Sequence, residues 1–121
     1  MKVHSAIGPG VLESVYRTCM AHELKKLGIG VCCEVVLPVI YDGLRLDSGF
    51  RIDLLVEDLV VVELKCVDTV LPIHKAQLLT YLRLSNKSIG LLLNFKVVHM
   101  RDGIHRILNN KQELSLARGQ E

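Results

Sequence analysis

Residues Val60–Lys65 read Val-Val-Val-Glu-Leu-Lys. Three successive β-branched valines call for a buried strand. An acid and a base then close it. Strand side chains alternate between faces, so Glu63 and Lys65 share a face while Leu64 turns back into the core. A carboxylate and an ammonium at the end of an apolar strand are costly without partners. Two readings meet that cost. One is a cross-strand ion pair of purely structural use. The other is a hard divalent cation held by oxygen ligands, with Lys65 beside it.

The flanking sequence supplies the rest of a sheet. Residues 50–56 alternate, with Phe50, Ile52, Leu54 and Val56 on one face and Arg51, Asp53 and Leu55 on the other. A polar turn at Glu57-Asp58 joins them to the valine strand. Residues 31–41 form a first strand in which Pro38 marks an edge or a bulge. Asp42-Gly43 is a tight-turn signal, and residues 44–47 are short and extended. Residues 11–27 carry a helical pattern: Val11, Leu12, Val15, Tyr16, Cys19, Met20 and Leu27 on one face, Ser14, Arg17, Thr18 and Lys25 on the other. Glu13 lies at the edge of the apolar face. Glu23 falls inside the apolar arc and is expected to pair with a neighbouring base. Gly28 and Gly30 end this helix, and residues 1–9 fit the tail of another, stopped by Gly8-Pro9-Gly10.

Downstream, residues 66–71 are a connection, and Pro72 suits the first turn of a helix over 72–86. His74, Gln77, Leu78 and Tyr81 share one of its faces. Ile89–Asn94 is a further apolar strand. Residues 97–101 and Ile104–Leu108 flank Asp102-Gly103, which predicts a hairpin. The last dozen residues are polar and read as frayed or weakly helical. The order of elements predicts an α/β fold: a mixed β-sheet flanked by helices, with a right-handed parallel crossover from residues 60–65 through the second long helix to 89–94.

Composition bounds the reading. The 121 residues form a single domain, 1–121, and half of them are hydrophobic. The formal net charge of +2 permits a nucleic-acid partner without demanding one. The four cysteines lack C-x-x-C spacing and read as reduced core or near-core thiols of a cytoplasmic protein. No stretch approaches a membrane span and no signal peptide is visible. The five histidines are a poor basis for a zinc site, since no second pair completes a tetrahedron.

Polar groups sit where apolar ones would be cheaper: Glu13 on the first long helix, Asp53 and Glu63 on adjacent strands, Lys65 beside Glu63, and Gln77 and Tyr81 on the later helix. Three carboxylates around one point suit magnesium, which takes oxygen ligands and keeps waters for substrate phosphate. Such an ion can activate water, and Lys65 can stabilise developing charge.

Gly10-Val-Leu-Glu13-Ser-Val-Tyr16 is similar to the signature of the GxxExxY protein family, which resembles the RecB-like branch of the PD-(D/E)xK nuclease superfamily. The likeness continues through Asp53, Glu63-Leu-Lys65 and Gln77-Leu-Leu-Thr-Tyr81, over about residues 8–108. Ile52 stands where the superfamily name has proline. The chain starts within what resembles the family's longer first helix, implying a preceding segment. Cysteines near the termini, as in relatives with iron–sulfur clusters, are absent, so no cluster is expected. The resemblance implies a restriction-endonuclease-like core and hydrolysis of phosphodiester bonds with Mg2+ or Mn2+. DNA is the implied substrate. It implies Glu13, Asp53 and Glu63 as metal ligands, aided by the Leu64 carbonyl. It also implies that Lys65 and Gln77 act with them in catalysis, and that Gln77 and Tyr81 support the site or hold the nucleic-acid backbone. A second copy, as a homodimer, is one way for so small a nuclease to span a duplex. The competing reading is a catalytically inactive nucleic-acid-binding or interaction module on the same fold.

One geometric condition tests the metal reading. Asp53 and Glu63 must meet, and a one-residue slip between their strands flips every side chain. A regular two-residue turn at Glu57-Asp58 sets Asp53 against Val62 and separates the carboxylates. A three-residue turn, or a two-residue turn plus one bulge, sets Asp53 against Glu63.

Overall fold

A computed structural model describes residues 2–47 and 49–110. The helices are α1 (Lys2–Ile7), α2 (Glu13–Lys26) and α3 (Pro72–Ser85). The strands are β1 (Val31–Val36), β2 (Val39–Tyr41), β3 (Leu44–Leu46), β4 (Arg51–Val56), β5 (Val60–Lys65), β6 (Ile89–Asn94) and β7 (Ile104–Leu108). Five strands form one sheet in the order β1-β4-β5-β6-β7, and β2 and β3 form a separate hairpin. The β5–β6 pair is parallel, bridged by α3, and the other pairs are antiparallel. The sheet is mixed and flanked by helices, as the alternation of strand and helix patterns predicts.

Each face of the sheet buries its own cluster. Val62, Leu64 and Leu93 pack with Val3 of α1 and with Tyr16 and Ala21 of α2. Val61 and Leu92 pack with Leu78, Tyr81 and Leu82 of α3. Adjacent residues such as Val61 and Val62 go to opposite sides, as strand alternation requires. α2 ends in a Schellman arrangement: Gly28 takes φ +75°, Ile29 N–H reaches the Leu24 carbonyl and Gly28 N–H the Lys25 carbonyl. α3 stops on Asn86 in the left-handed region, with Lys87 N–H on the Leu82 carbonyl.

Several expectations shift in three dimensions. Residues 31–41 are not one strand. Pro38 has no N–H for a ladder, so β1 ends at Val36, Leu37 N–H bonds Phe50, and β2 pairs with β3 instead. Residues 97–101 are not a strand either. A 3-10 helix occupies Met100–Gly103, and β7 returns to pair with β6. On α2 the apolar face is narrower than its pattern: Leu12, Val15 and Leu27 are exposed, while Tyr16 and Ala21 are buried. The four cysteines are free thiols, but Cys32 and Cys33 are exposed on edge strand β1 rather than near the core. Glu23 pairs with Lys2 and Lys26, as expected. From residue 111 onward the expected frayed tail lies outside the described residues.

The β4–β5 hairpin meets the geometric condition. Val56 pairs with Val60, so Glu57, Asp58 and Leu59 intervene, and Leu54 opposes Val62. Glu57 and Asp58 both take positive φ, and Leu59 N–H closes the turn on the Val56 carbonyl. That register carries Asp53 opposite Glu63. A second irregularity sits at Asp53 itself. Ile52 joins the α3-side cluster and Leu54 the α2-side cluster, although a regular strand would put both on one face. The expected single face of Phe50, Ile52, Leu54 and Val56 is therefore split. The neighbouring strand flips at the same level: Glu34, between Cys33 and Val35, has φ 52°. The pairs on either side, Cys33 with Leu54 and Val35 with Ile52, keep one register across the flip.

Gly103 shows how tightly the end of the sheet closes. A Cβ there would stand 2.0 Å from the Asn94 carbonyl oxygen, whereas one on Gly10 would meet nothing within 4 Å. Gly103→Ala is expected to destabilise the domain by about 2 kcal/mol or more, since backbone must move. Gly10→Ala should stay within about 0.5 kcal/mol. Urea denaturation of both variants checks this; equal midpoints would refute the close approach.

Candidate active site

Where β4 leaves β5, side chains take over from the backbone ladder. Leu64 N–H donates to Asp53 Oδ2 at 2.8 Å, and Asp53 N–H donates to Glu63 Oε1 at 3.3 Å. The last backbone pair is Leu54 with Val62. Both carboxylates thus fill the gap between parting strands, each satisfying an amide that would otherwise lose its partner. The flip at Asp53 makes this possible. It releases the Asp53 side chain from either packed face, while Ile52 and Leu54 remain fully buried on opposite sides.

A cleft of about 280 Å³ opens over this gap, lined by Glu13, Arg17, Glu34, Asp53, Glu63, Lys65 and Tyr81 among others. Glu63 is only 6% exposed. Burial, and secondarily the Asp53 charge, push its carboxyl up to about 8, against the pull of the Asp53 N–H and Lys65. Glu13 opens α2, and burial raises its carboxyl too, offset first by Lys65. Lys65 is therefore felt by both glutamates. Among the described residues it forms no salt bridge, so the structural Glu63–Lys65 pair is not what this strand end holds.

Tyr81 is buried at the cleft wall, its hydroxyl kept protonated by burial and by the nearby Glu63 and Asp53 charges. Gln77 Nε2 donates to the Tyr81 hydroxyl at 3.1 Å. Gln77 thus reaches the cleft through Tyr81 and does not itself line it. Tyr16 of the G-x-x-E-x-x-Y stretch has a different place. It is fully buried, stacks on Phe95 with ring centroids 4.1 Å apart, and donates to the Gly8 carbonyl. It pins the turn that precedes Glu13.

Three cleft residues escaped the sequence reading: Arg17, Glu34 and Arg51. Arg17 lies 3.6 Å from Asp53 Oδ1 and 3.0 Å from Glu34 Oε1, and Arg51 lies 3.8 Å from the same Glu34 oxygen. Arg17 follows Glu13 by one helical turn, a spacing that was there to be read. Glu34 interrupts the apolar run of β1, a weaker sign.

Asp53 and Glu63 touch, with Glu13 and Lys65 in electrostatic range. Among the described residues no three His, Cys, Asp or Glu side chains gather tightly enough to enclose a metal ion. Hard-cation sites for magnesium, however, use one or two carboxylates completed by water and substrate. The oxygen donors of buried Glu63 and half-buried Asp53, close enough for the Asp53 charge to act on Glu63, fit such an ion.

Known proteins resemble this chain in family and in fold. The family model of the PD-(D/E)XK nuclease superfamily matches residues 1–107. A solved structure, described as the crystal structure of SSO0001, superposes with a TM-score of 0.52 at 23% identity, over 88% of this chain and 56% of that one. This chain therefore spans little more than half of that structure's length, and the likeness is one of fold. No curated protein matches significantly.

Between about pH 4.5 and about 8, the folded chain keeps a proton on Glu63 that the unfolded chain has released. Stability therefore falls as pH rises through that window. With chelator present, Glu63→Gln should flatten the fall in melting temperature between pH 5 and pH 8 and melt higher than wild type at pH 8. Parallel melting curves across that range would show that Glu63 ionises freely. Asp53→Asn is the fitting companion, because Asp53→Ala would also strand the Leu64 amide.

Proposed function

The chain belongs to the PD-(D/E)XK nuclease superfamily, and from that membership we propose that it is a hydrolase cutting the phosphodiester bonds of DNA with a divalent metal. The observation that carries the reading is the pair of hydrogen bonds at the parted strands, Asp53 N–H to Glu63 and Leu64 N–H to Asp53, which brings both carboxylates to one place. Within the superfamily, the signature around Glu13 and Tyr16 supports kinship with the GxxExxY family and the RecB-like branch.

Asp53 and Glu63 would hold magnesium or manganese, with the Leu64 carbonyl and Glu13 completing or approaching the shell. Bound there, the ion would polarise a phosphoryl oxygen and activate a water molecule. The chain's own residues do the rest. Lys65 donates from its ammonium to the oxygen on which negative charge builds. Glu13, raised by burial and close to Lys65, can take a proton from an incoming water. Gln77 holds the Tyr81 hydroxyl in one orientation, and Tyr81 faces the phosphate side of the cleft. A second copy of the chain would extend the surface available to a duplex. Among the described residues no helix is long and apolar enough to cross a membrane, and we place the activity in the cytoplasm, where reduced thiols are expected.

Incubation with supercoiled plasmid and with single-stranded DNA tests this directly. Cleavage should require magnesium or manganese and stop with chelator. Lys65→Ala should lower it by roughly a hundredfold or more, and Gln77→Ala should lower it while costing only about 1 kcal/mol of stability. Wild-type protein that binds manganese yet cuts neither substrate would move the assignment to a binding module on this fold.

A further inference from the structure

We infer that Arg17 is the phosphate-positioning residue of this cleft, parked against Asp53 and Glu34 until a cation and a phosphodiester take its place. The inference rests on the nuclease reading above. Asp53 spends Oδ2 on the Leu64 amide, so Oδ1 is the oxygen left for a cation, and Oδ1 is the one that faces Arg17 at 3.6 Å. Arg17 therefore occupies the charge that a divalent ion would supply. An ion arriving between Asp53 and Glu63 cancels the attraction and repels the guanidinium.

Glu34 keeps the displaced arginine in the cleft. Its Oε1 pairs with Arg17 Nη2 at 3.0 Å. It does so from a left-handed backbone at φ 52°, unfavourable for a residue with a side chain. Strain of this kind persists where the surrounding structure demands it, and functional sites are where it clusters. Arg51, 3.8 Å from the same oxygen, competes with Arg17 for Glu34 and weakens its hold. The guanidinium is thus tethered loosely, on rigid α2, one turn from Glu13. Its planar fork fits two phosphate oxygens at once, which the Lys65 ammonium cannot match.

A structural role would be different in kind. Arg17 would then simply tie α2 to strands β1 and β4, and losing either partner would loosen the cleft in the same direction. The full chain is titrated calorimetrically with Mn2+, and separately its binding of a fluorescent phosphorothioate oligonucleotide is followed by anisotropy in Mn2+. Arg17→Ala should bind Mn2+ severalfold more tightly, because a competing cation is gone, and the oligonucleotide roughly tenfold more weakly. Arg17→Lys should recover part of the oligonucleotide affinity. Glu34→Gln should weaken Mn2+ binding, since Arg17 then rests on Asp53 alone, and that loss should vanish in the Arg17→Ala/Glu34→Gln double variant. Opposite signs for the two single variants are the signature. Shifts of the same sign, no shift, or unchanged oligonucleotide affinity in Arg17→Ala overturn the inference and leave the nuclease reading standing if wild type binds Mn2+ and cuts. Wild type that binds no Mn2+ overturns both.

Discussion

The cleft depends on two strands parting at one residue. β4 pairs with β5 through Leu54 and Val62, and beyond that point Asp53 and Glu63 replace backbone partners with side-chain oxygens. An unpaired amide in a buried sheet is costly, so the two carboxylates are held in place by the ladder they terminate. This couples structure to chemistry. The groups suited to a cation are also the caps of the sheet, and their geometry is as rigid as the core beneath them. The turn at Glu57, Asp58 and Leu59 is the remote cause, since its odd length brings Asp53 level with Glu63.

Electrostatics then shape what the cleft can do. Four acids, Glu13, Glu34, Asp53 and Glu63, share it with three bases, Arg17, Arg51 and Lys65. Arg17 and Arg51 are drawn to Glu34 at the rim, while Lys65 acts through its charge on Glu13 and the buried Glu63. Burial and the Asp53 charge hold the proton on Glu63, and a hard cation placed there would favour its release. Tyr81, held by Gln77 behind it, forms the neutral wall of the same space. Their hydrogen bond connects α3 to the acids without adding charge.

Much of this was legible because local rules carry it. The valine run, the Pro72 helix start and the spacing of Gln77 and Tyr81 fall on observed elements, since alternation and helical period survive folding. The failures share a cause. Pro38 ended β1 rather than bulging it, because the next residues found a better partner in β3. Asp102-Gly103 closes a 3-10 turn rather than a hairpin, because Gly103 packs against Asn94 from elsewhere in the chain. Leu12, Val15 and Leu27 look apolar enough for the core, yet nothing stands above them among the described residues to bury them.

From the sequence by itself came the two long helices, the strands at Val60–Lys65, Ile89–Asn94 and Ile104–Leu108, the parity condition linking Asp53 to Glu63, and the side-chain types around them. These follow from period and chemistry within short stretches. Tertiary structure alone decided which alternative satisfied that condition, where strands β1 and β4 flip, and that Ile52 and Leu54 part to opposite cores. It also decided that Tyr16 is a buried pin and that Arg17 and Glu34 belong to the cleft. Arg17 reaches Asp53 across thirty-six positions of sequence and Glu34 across seventeen. Contacts that distant are set by how layers pack, and no local pattern encodes them.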